Sequence, residues 1–255
     1  MTRPLFFGPE DAVRAATRGS RFVLGGDEGR HASTVRRLSA GERLDVTDGA
    51  GYRLSGVIVA VGVGTVELRV ESAGQEPPPA HRLLLVQALA KGGRDEQAVE
   101  AATELGVDAV LPWHAERSIV RWRGDKVEKG RQKWTSLVGA AAKQSRRSFV
   151  PEVLPVMDTA RLASWAGSVD RMIVLHEAAD VSLAERIIGV EDGGRSGTGS
   201  TTALVVGPEG GISDAEIAKL RGSGAETARL GPYVLRSSSA GPAALVLLNH
   251  LLDRW

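Results

Sequence analysis

A short apolar run, Thr202-Ala203-Leu204-Val205-Val206, breaks into Gly207-Pro208-Glu209-Gly210-Gly211 and continues as Ile212-Ser213-Asp214-Ala215-Glu216. Three glycines in one turn let backbone amides approach a small molecule with no Cβ in the way. Ser213 and Glu216 have the types and spacing of a capping box, so a helix is expected to start there. The turn lacks the lysine of a phosphate-binding loop, and its spacing is not that of a dinucleotide fingerprint. Glu209 would repel a phosphate and tolerate a neutral or cationic ligand. Taken alone, the same residues also suit a plain tight turn.

Two further segments share this character. Leu175-His176-Glu177 and Leu230-Gly231-Pro232-Tyr233-Val234-Leu235-Arg236 each follow an apolar run. In an open parallel sheet the carboxyl ends of the strands lie along one edge, where ligand crevices form. The three turns are therefore expected to converge, with Arg236 at the mouth. Ser237, Ser238 and Ser239 either cap the helix that follows or reach a ligand. His176 alone reads as a core histidine satisfied by a carbonyl. No His/Asp/Glu set has metal-ligand spacing, and no Ser/His/Asp arrangement stands out.

The elements that must carry these turns change character along the chain. Residues 21–24, 43–47, 52–59 and 66–70 are short β-branched runs separated by glycine turns, which suggests a small barrel interrupted by a helix near His31 to Leu38. Pro77-Pro78-Pro79 is a stiff spacer and the best boundary. Beyond it, strands at 83–89, 108–112, 172–175, 202–206 and 226–230 alternate with helices at 95–105, 126–144, 183–188, 213–220 and 243–252. That alternation means a mostly parallel sheet covered on both faces. Glu191 to Ser200 reads as a Gly/Ser-rich surface loop.

Composition narrows the classes. At 255 residues the chain can bury a sizeable core, and zero cysteines exclude disulfides, thiolate metal sites and cysteine nucleophiles. The N-terminus lacks the apolar run of a signal peptide, and no stretch is long enough to span a bilayer, so a cytoplasmic protein is expected. A net charge of +1 hides one asymmetry. Between Arg117 and Arg147 ten basic residues stand against Asp125 and Glu128, interleaved with Trp122 and Trp134. Such a stripe is either a solvated helix face or a surface for a phosphate backbone.

Gly207-Pro208-Glu209-Gly210-Gly211 followed by Leu230-Gly231-Pro232-Tyr233-Val234-Leu235-Arg236 resembles the paired signatures of the bacterial 16S ribosomal RNA uracil-N3 methyltransferases, of the SPOUT class. Gln87-Ala88-Leu89-Ala90-Lys91-Gly92, Ala102-Thr103-Glu104-Leu105-Gly106-Val107, Glu116-Arg117-Ser118 and Gln144-Ser145-Arg146-Arg147 are similar to further family segments in the same order. The resemblance implies an α/β protein. A PUA-like, RNA-binding β-barrel would span residues 1–74, and a SPOUT domain with a deep trefoil knot would span 80–255 and dimerise. It implies S-adenosylmethionine as cofactor, 16S ribosomal RNA within the small subunit as substrate, a homodimer, and no metal or membrane.

Carried over residue by residue, the resemblance implies catalytic roles for Arg236 and Glu209. Cofactor contacts are implied for Leu175, His176, Glu177, Gly207, Pro208, Glu209, Gly210, Gly211, Leu230, Gly231, Pro232, Val234, Leu235, Ser237 and Ala240. RNA contacts are implied for His31, Arg36, Arg37, Lys91, Arg117, Arg121, Arg146 and Arg147. Two departures stand out. The family commonly carries Arg-Thr-Glu-Thr where this chain has Arg236-Ser237-Ser238-Ser239, so no role of that glutamate transfers. Lys143 and Arg146 replace an acidic residue and a glycine, which is expected to make the RNA face more basic. A related enzyme acting on another RNA, or a non-catalytic RNA-binding module, are the competing readings.

Overall fold

The computed structural model describes residues 3–191 and 199–255, so most of the predicted Gly/Ser-rich loop lies outside the described residues. The chain divides into two compact units: residues 1–78 with 142–150, and residues 79–141 with 151–255.

The first unit is a five-stranded sheet. Its strands are β1 (Leu5–Phe7), β2 (Arg21–Leu24), β3 (Arg43–Thr47), β4 (Tyr52–Gly62) and β5 (Thr65–Gln75), in the order β1-β3-β4-β5-β2. Only β1 and β3 run parallel. Two register shifts between β4 and β5 add twist, as bulges do. The sheet curls about one core built from all five strands, with Phe6, Phe22, Leu44, Leu54, Ile58 and Leu68 almost fully buried. Helices α1 (Glu10–Ala15) and α2 (Gly26–Arg30) flank it. The helix expected at His31 to Leu38 is instead α2 followed by a π-turn at His31–Val35.

Segment 142–150 joins this unit through backbone bonds. Val150 N–H donates to the Gly49 carbonyl at 2.9 Å, and Gly51 N–H to the Ser148 carbonyl at 3.0 Å. Gly51 has φ +98, and a Cβ built there would lie 2.2 Å from Phe149 Cζ. Both the backbone conformation and the space demand glycine.

The second unit has strands β6 (Arg82–Ala88), β7 (Ala109–His114), β8 (Glu152–Val153), β9 (Met157–Asp158), β10 (Arg171–Leu175), β11 (Thr201–Val206) and β12 (Glu226–Ala228). Their order is β12-β10-β11-β6-β7-β8, with β9 beside β7, and every pairing is parallel. Helices α3 (Arg94–Glu104), α4 (Asp125–Gln144), α5 (Thr159–Trp165), α6 (Leu183–Glu191) and α7 (Asp214–Gly222) lie between them in sequence, and α8 (Ser237–Leu251) follows the last strand. β6 is buried at six of its seven residues, as a central strand covered on both faces should be.

The last helix corrects the sequence reading, which started it after Pro242. α8 begins at Ser237 and carries Pro242 inside it. A proline in the second turn forfeits only the bond to the Ser238 carbonyl, and the surrounding burial compensates. The bonds that recruit 142–150 give the first prediction. Gly51→Ala is expected to lower stability by roughly 2 kcal/mol or more, read as a drop in the urea-unfolding midpoint.

Candidate active site

Strand register places the site. Within the second unit β11 lies between β10 and β6, with Val174 opposite Val205 and Val206 opposite Gln87. On the far side of β10, Leu175 pairs with Ala228 of β12. The strands thus end at one level, and the segments after them surround a cavity of about 690 Å³. That size suits a small-molecule site.

Most of the residues expected at the crevice line it: Leu175, His176, Glu177, Gly207, Pro208, Glu209, Gly210, Gly211, Val234, Leu235, Arg236, Ser237 and Ala240. Leu230 and Gly231 line a smaller adjoining cavity that shares Leu175, His176 and Glu177. Pro232 lines neither. His176 is half-buried, and its Nδ1 accepts from Ala178 N–H at 3.3 Å. The core-histidine reading of it is therefore replaced by a crevice wall.

The glycine turn is held from three sides. At its exit Ser213 and Glu216 form the expected capping box. Glu216 is only 5% exposed, and its carboxylate also accepts from Glu116 N–H at 2.8 Å and the Thr159 hydroxyl at 2.5 Å. Charge-assisted bonds of this kind join three connections into one rigid support. On the crevice side Arg94 Nη1 donates to Glu209 Oε1 at 2.9 Å. Arg117 Nη1 donates to the Gly210 carbonyl at 3.0 Å.

Sequence reasoning missed Arg94 and gave Arg117 to RNA alone. The available signal for Arg94 was a cation directly after Gly92-Gly93, just past the carboxyl end of a buried strand.

Arg236 is the N-cap residue of α8, exposed, and makes no side-chain cap bond. The expectation that a serine caps this helix is therefore corrected: the serines sit inside its first turn. Among the described residues the Arg236 guanidinium carries no ion pair. The Ser237 hydroxyl is buried at the crevice wall with no hydrogen-bond partner.

The residues predicted to contact RNA divide between the units. Lys91, Arg117 and Arg121 belong to the second, where Lys91 is exposed. Arg121 bonds the carbonyls of His114 and Glu116 at 3.4 and 2.9 Å, folding residues 115–124 back on the end of β7. His114 Nε2 accepts from Trp122 N–H at 3.0 Å, so the ring must be neutral at that nitrogen. Burial, and after it Arg121, pushes the imidazole below its ordinary value of 6.5.

His31, Arg36, Arg37, Arg146 and Arg147 belong to the first unit. Arg36, Arg37 and Arg146 are exposed, and Arg147 is half-buried. His31 is half-buried edge-on to Phe6, and Lys143 Nζ lies 3.0 Å from its Nδ1. Lys143 also reaches the Glu28 carboxylate at 2.6 Å. The expectation that Lys143 adds charge to an RNA face is corrected, because Glu28 offsets that charge.

Comparison with known proteins adds to this geometry. The RNA methyltransferase domain family matches residues 76–249, and the RNA methyltransferase PUA domain matches residues 24–71. Ribosomal RNA small subunit methyltransferase E of Mycobacterium bovis is 41% identical over 93% of this chain and 89% of its own length. The protein of that name from Bacillus subtilis is 28% identical over 90% of each chain. A candidate methyltransferase from Legionella pneumophila, solved with the bound cofactor SAM, is 27% identical. It superposes with a TM-score of 0.80 over 98% of both chains.

The His114 contact carries a pH signature. A histidine whose folded value is depressed contributes stability that is complete above about 6.5 and is lost as pH falls toward the folded value. The wild type should therefore lose urea resistance as pH falls below about 6.5, and His114→Gln should flatten that slope.

Proposed function

The chain belongs to the RNA methyltransferase family, and we propose that it transfers a methyl group from S-adenosylmethionine to N3 of a specific uridine in the 16S ribosomal RNA of the small subunit. The observation that carries this reading is the convergence of three strand-end turns on one crevice with Arg236, which has no ion pair among the described residues, at its mouth. The name of the 41% identical relative and the cofactor of the Legionella structure support it.

The crevice fits the cofactor's chemistry. Its wall carries both signs of charge: Arg117 against Glu177 and Asp214, while Arg94 and Glu209 are paired with each other and Arg236 is left for the base. A zwitterionic ligand with a further sulfonium charge meets partners for each group there. The unpartnered Ser237 hydroxyl supplies a spare polar contact. Leu175, His176, Glu177 and Gly207 to Gly211 would hold the ligand, with Val234, Leu235, Ser237 and Ala240 closing the far wall. When bound, S-adenosylmethionine supplies an electrophilic methyl group.

The chain's own part is orientation and charge. Loss of the uridine N3 proton to water leaves negative charge spread over N3 and the ring oxygens, and that charge is consumed as N3 bonds the methyl carbon while the methyl–sulfur bond breaks, leaving S-adenosylhomocysteine. Arg236 stabilises that charge, and it needs no release from another partner to do so. Glu209 holds the turn and, through it, the cofactor. Arg117, Arg121 and Lys91 in one unit, and His31, Arg36, Arg37, Arg146 and Arg147 in the other, contact the RNA.

The reading extends to the organisation of the chain. Residues 1–74 serve RNA binding, and 80–255 form a SPOUT domain whose strand-end segments build a deep trefoil knot. The protein works in the cytoplasm as a homodimer, with Tyr233 (83%) and Val234 (78%) exposed to meet the second copy.

Incubation with labelled S-adenosylmethionine and separated ribosomal subunits tests the substrate: label is expected in the small-subunit RNA, mapped by mass to one uridine. Label in the large subunit or transfer RNA would redirect the reading. Arg236→Ala is expected to lower the methylation rate by about 100-fold or more. Calorimetry should show S-adenosylhomocysteine affinity unchanged within about threefold.

A further inference from the structure

Arg94 occupies a place that its own helix disfavours. It is the first residue of α3, where the positive end of the helix dipole disfavours a cation. Gly92 and Gly93, with φ +67 and +72, precede it. Two successive left-handed residues swing the chain sharply off the end of β6, and α3 is then anchored by Ala98, Val99 and Ala102, each fully buried. The backbone therefore presents Arg94 to the crevice from a rigid base.

Its partner is Glu209, 115 residues away in sequence, at 2.9 Å. The side chains are 40% and 23% exposed. An ion pair at that exposure is largely screened by solvent and barely offsets the dipole penalty. Stability does not account for the pair. Its position does: both residues line the crevice.

We propose that Arg94 is a positioning residue for the RNA substrate, acting through Glu209. It holds that carboxylate at the crevice edge and offsets its charge, so that a polyanionic strand meets a neutral turn. The inference rests on the reading of the crevice as an RNA-methylating site. Arg117 fixes the backbone of the same turn at Gly210, and among the described residues Arg236 carries no ion pair of its own. Arg94 is therefore the cation committed to the turn's carboxylate. Removing it leaves an uncompensated negative charge where the RNA must enter.

The test measures equilibrium binding to isolated small ribosomal subunits in the presence of S-adenosylhomocysteine, alongside kcat and KM for methylation. Arg94→Met is expected to weaken subunit binding and raise the RNA KM by about tenfold, the scale of one partly screened charge. Its calorimetric affinity for S-adenosylhomocysteine should stay close to wild type, which also shows that the variant is folded. Arg94→Lys should retain most of the binding.

The deciding variant is the double substitution Arg94→Met with Glu209→Gln. If Arg94 acts through the carboxylate, removing the carboxylate's charge recovers most of the binding lost in Arg94→Met. A double variant as weak as Arg94→Met would overturn the proposal and make Arg94 a direct phosphate contact. Binding by Arg94→Met equal to wild type would overturn it as well. A wild type that binds large subunits as tightly as small ones would instead overturn the reading on which the proposal rests.

Discussion

The pairing of β11 with both β6 and β10 is the constraint on which the site depends. Parallel hydrogen bonding at a fixed register brings three strand ends, far apart in sequence, to one level. The cavity in the second unit is lined by the segments that leave this edge, with Arg94 of α3 and the first turn of α8 beside them. The core beneath them, with Leu84, Val86, Leu111, Trp113, Val174, Ala203 and Val205 buried, keeps that edge from shifting. The turns can therefore be rich in glycine and polar groups without loss of geometry.

Much of this edge was legible in the sequence. The apolar runs at Leu83 and Thr202 are continuous because buried parallel strands have no wet face, and the capping box at Ser213 marks its helix by spacing alone. What escaped was non-local. Nothing near Arg94 points to Glu209, and the ion pair exists only because β6 and β11 are neighbours. The start of α8 was misplaced because a proline in the second turn looks like a boundary until its environment is known. Strand β1, three residues long, pairs with β3 and is too short to show a pattern.

The charge reading needed the most revision, and for one physical reason. A count of basic residues between Arg117 and Arg147 treats each as free, whereas the fold assigns several of them partners. Lys143 belongs to Glu28, Arg121 to two carbonyls, and Lys133 to Glu96. An arginine with five donors can keep such a bond and still meet a phosphate, but a lysine seated on a carboxylate contributes little net field. Arg36, Arg37 and Arg146 remain exposed, and they sit at or next to turns rather than on a helix face. Arg37 and Arg146 both adopt positive φ, at 52 and 61.

The recruitment of 142–150 into the first unit has a consequence for how the polypeptide is made. Synthesis proceeds from the N-terminus, and domains generally fold as units in that order. Here the first sheet is translated by residue 75, yet the Phe149 ring that closes over Gly51 arrives only after β6, α3, β7 and α4 have been translated. The second unit in turn lacks β10, β11 and β12 until after that segment has passed. The first unit therefore cannot close until residue 150 has been made, by which point only β6 and β7 of the second unit's strands exist. A fragment ending at the proline spacer would lack part of its own packing.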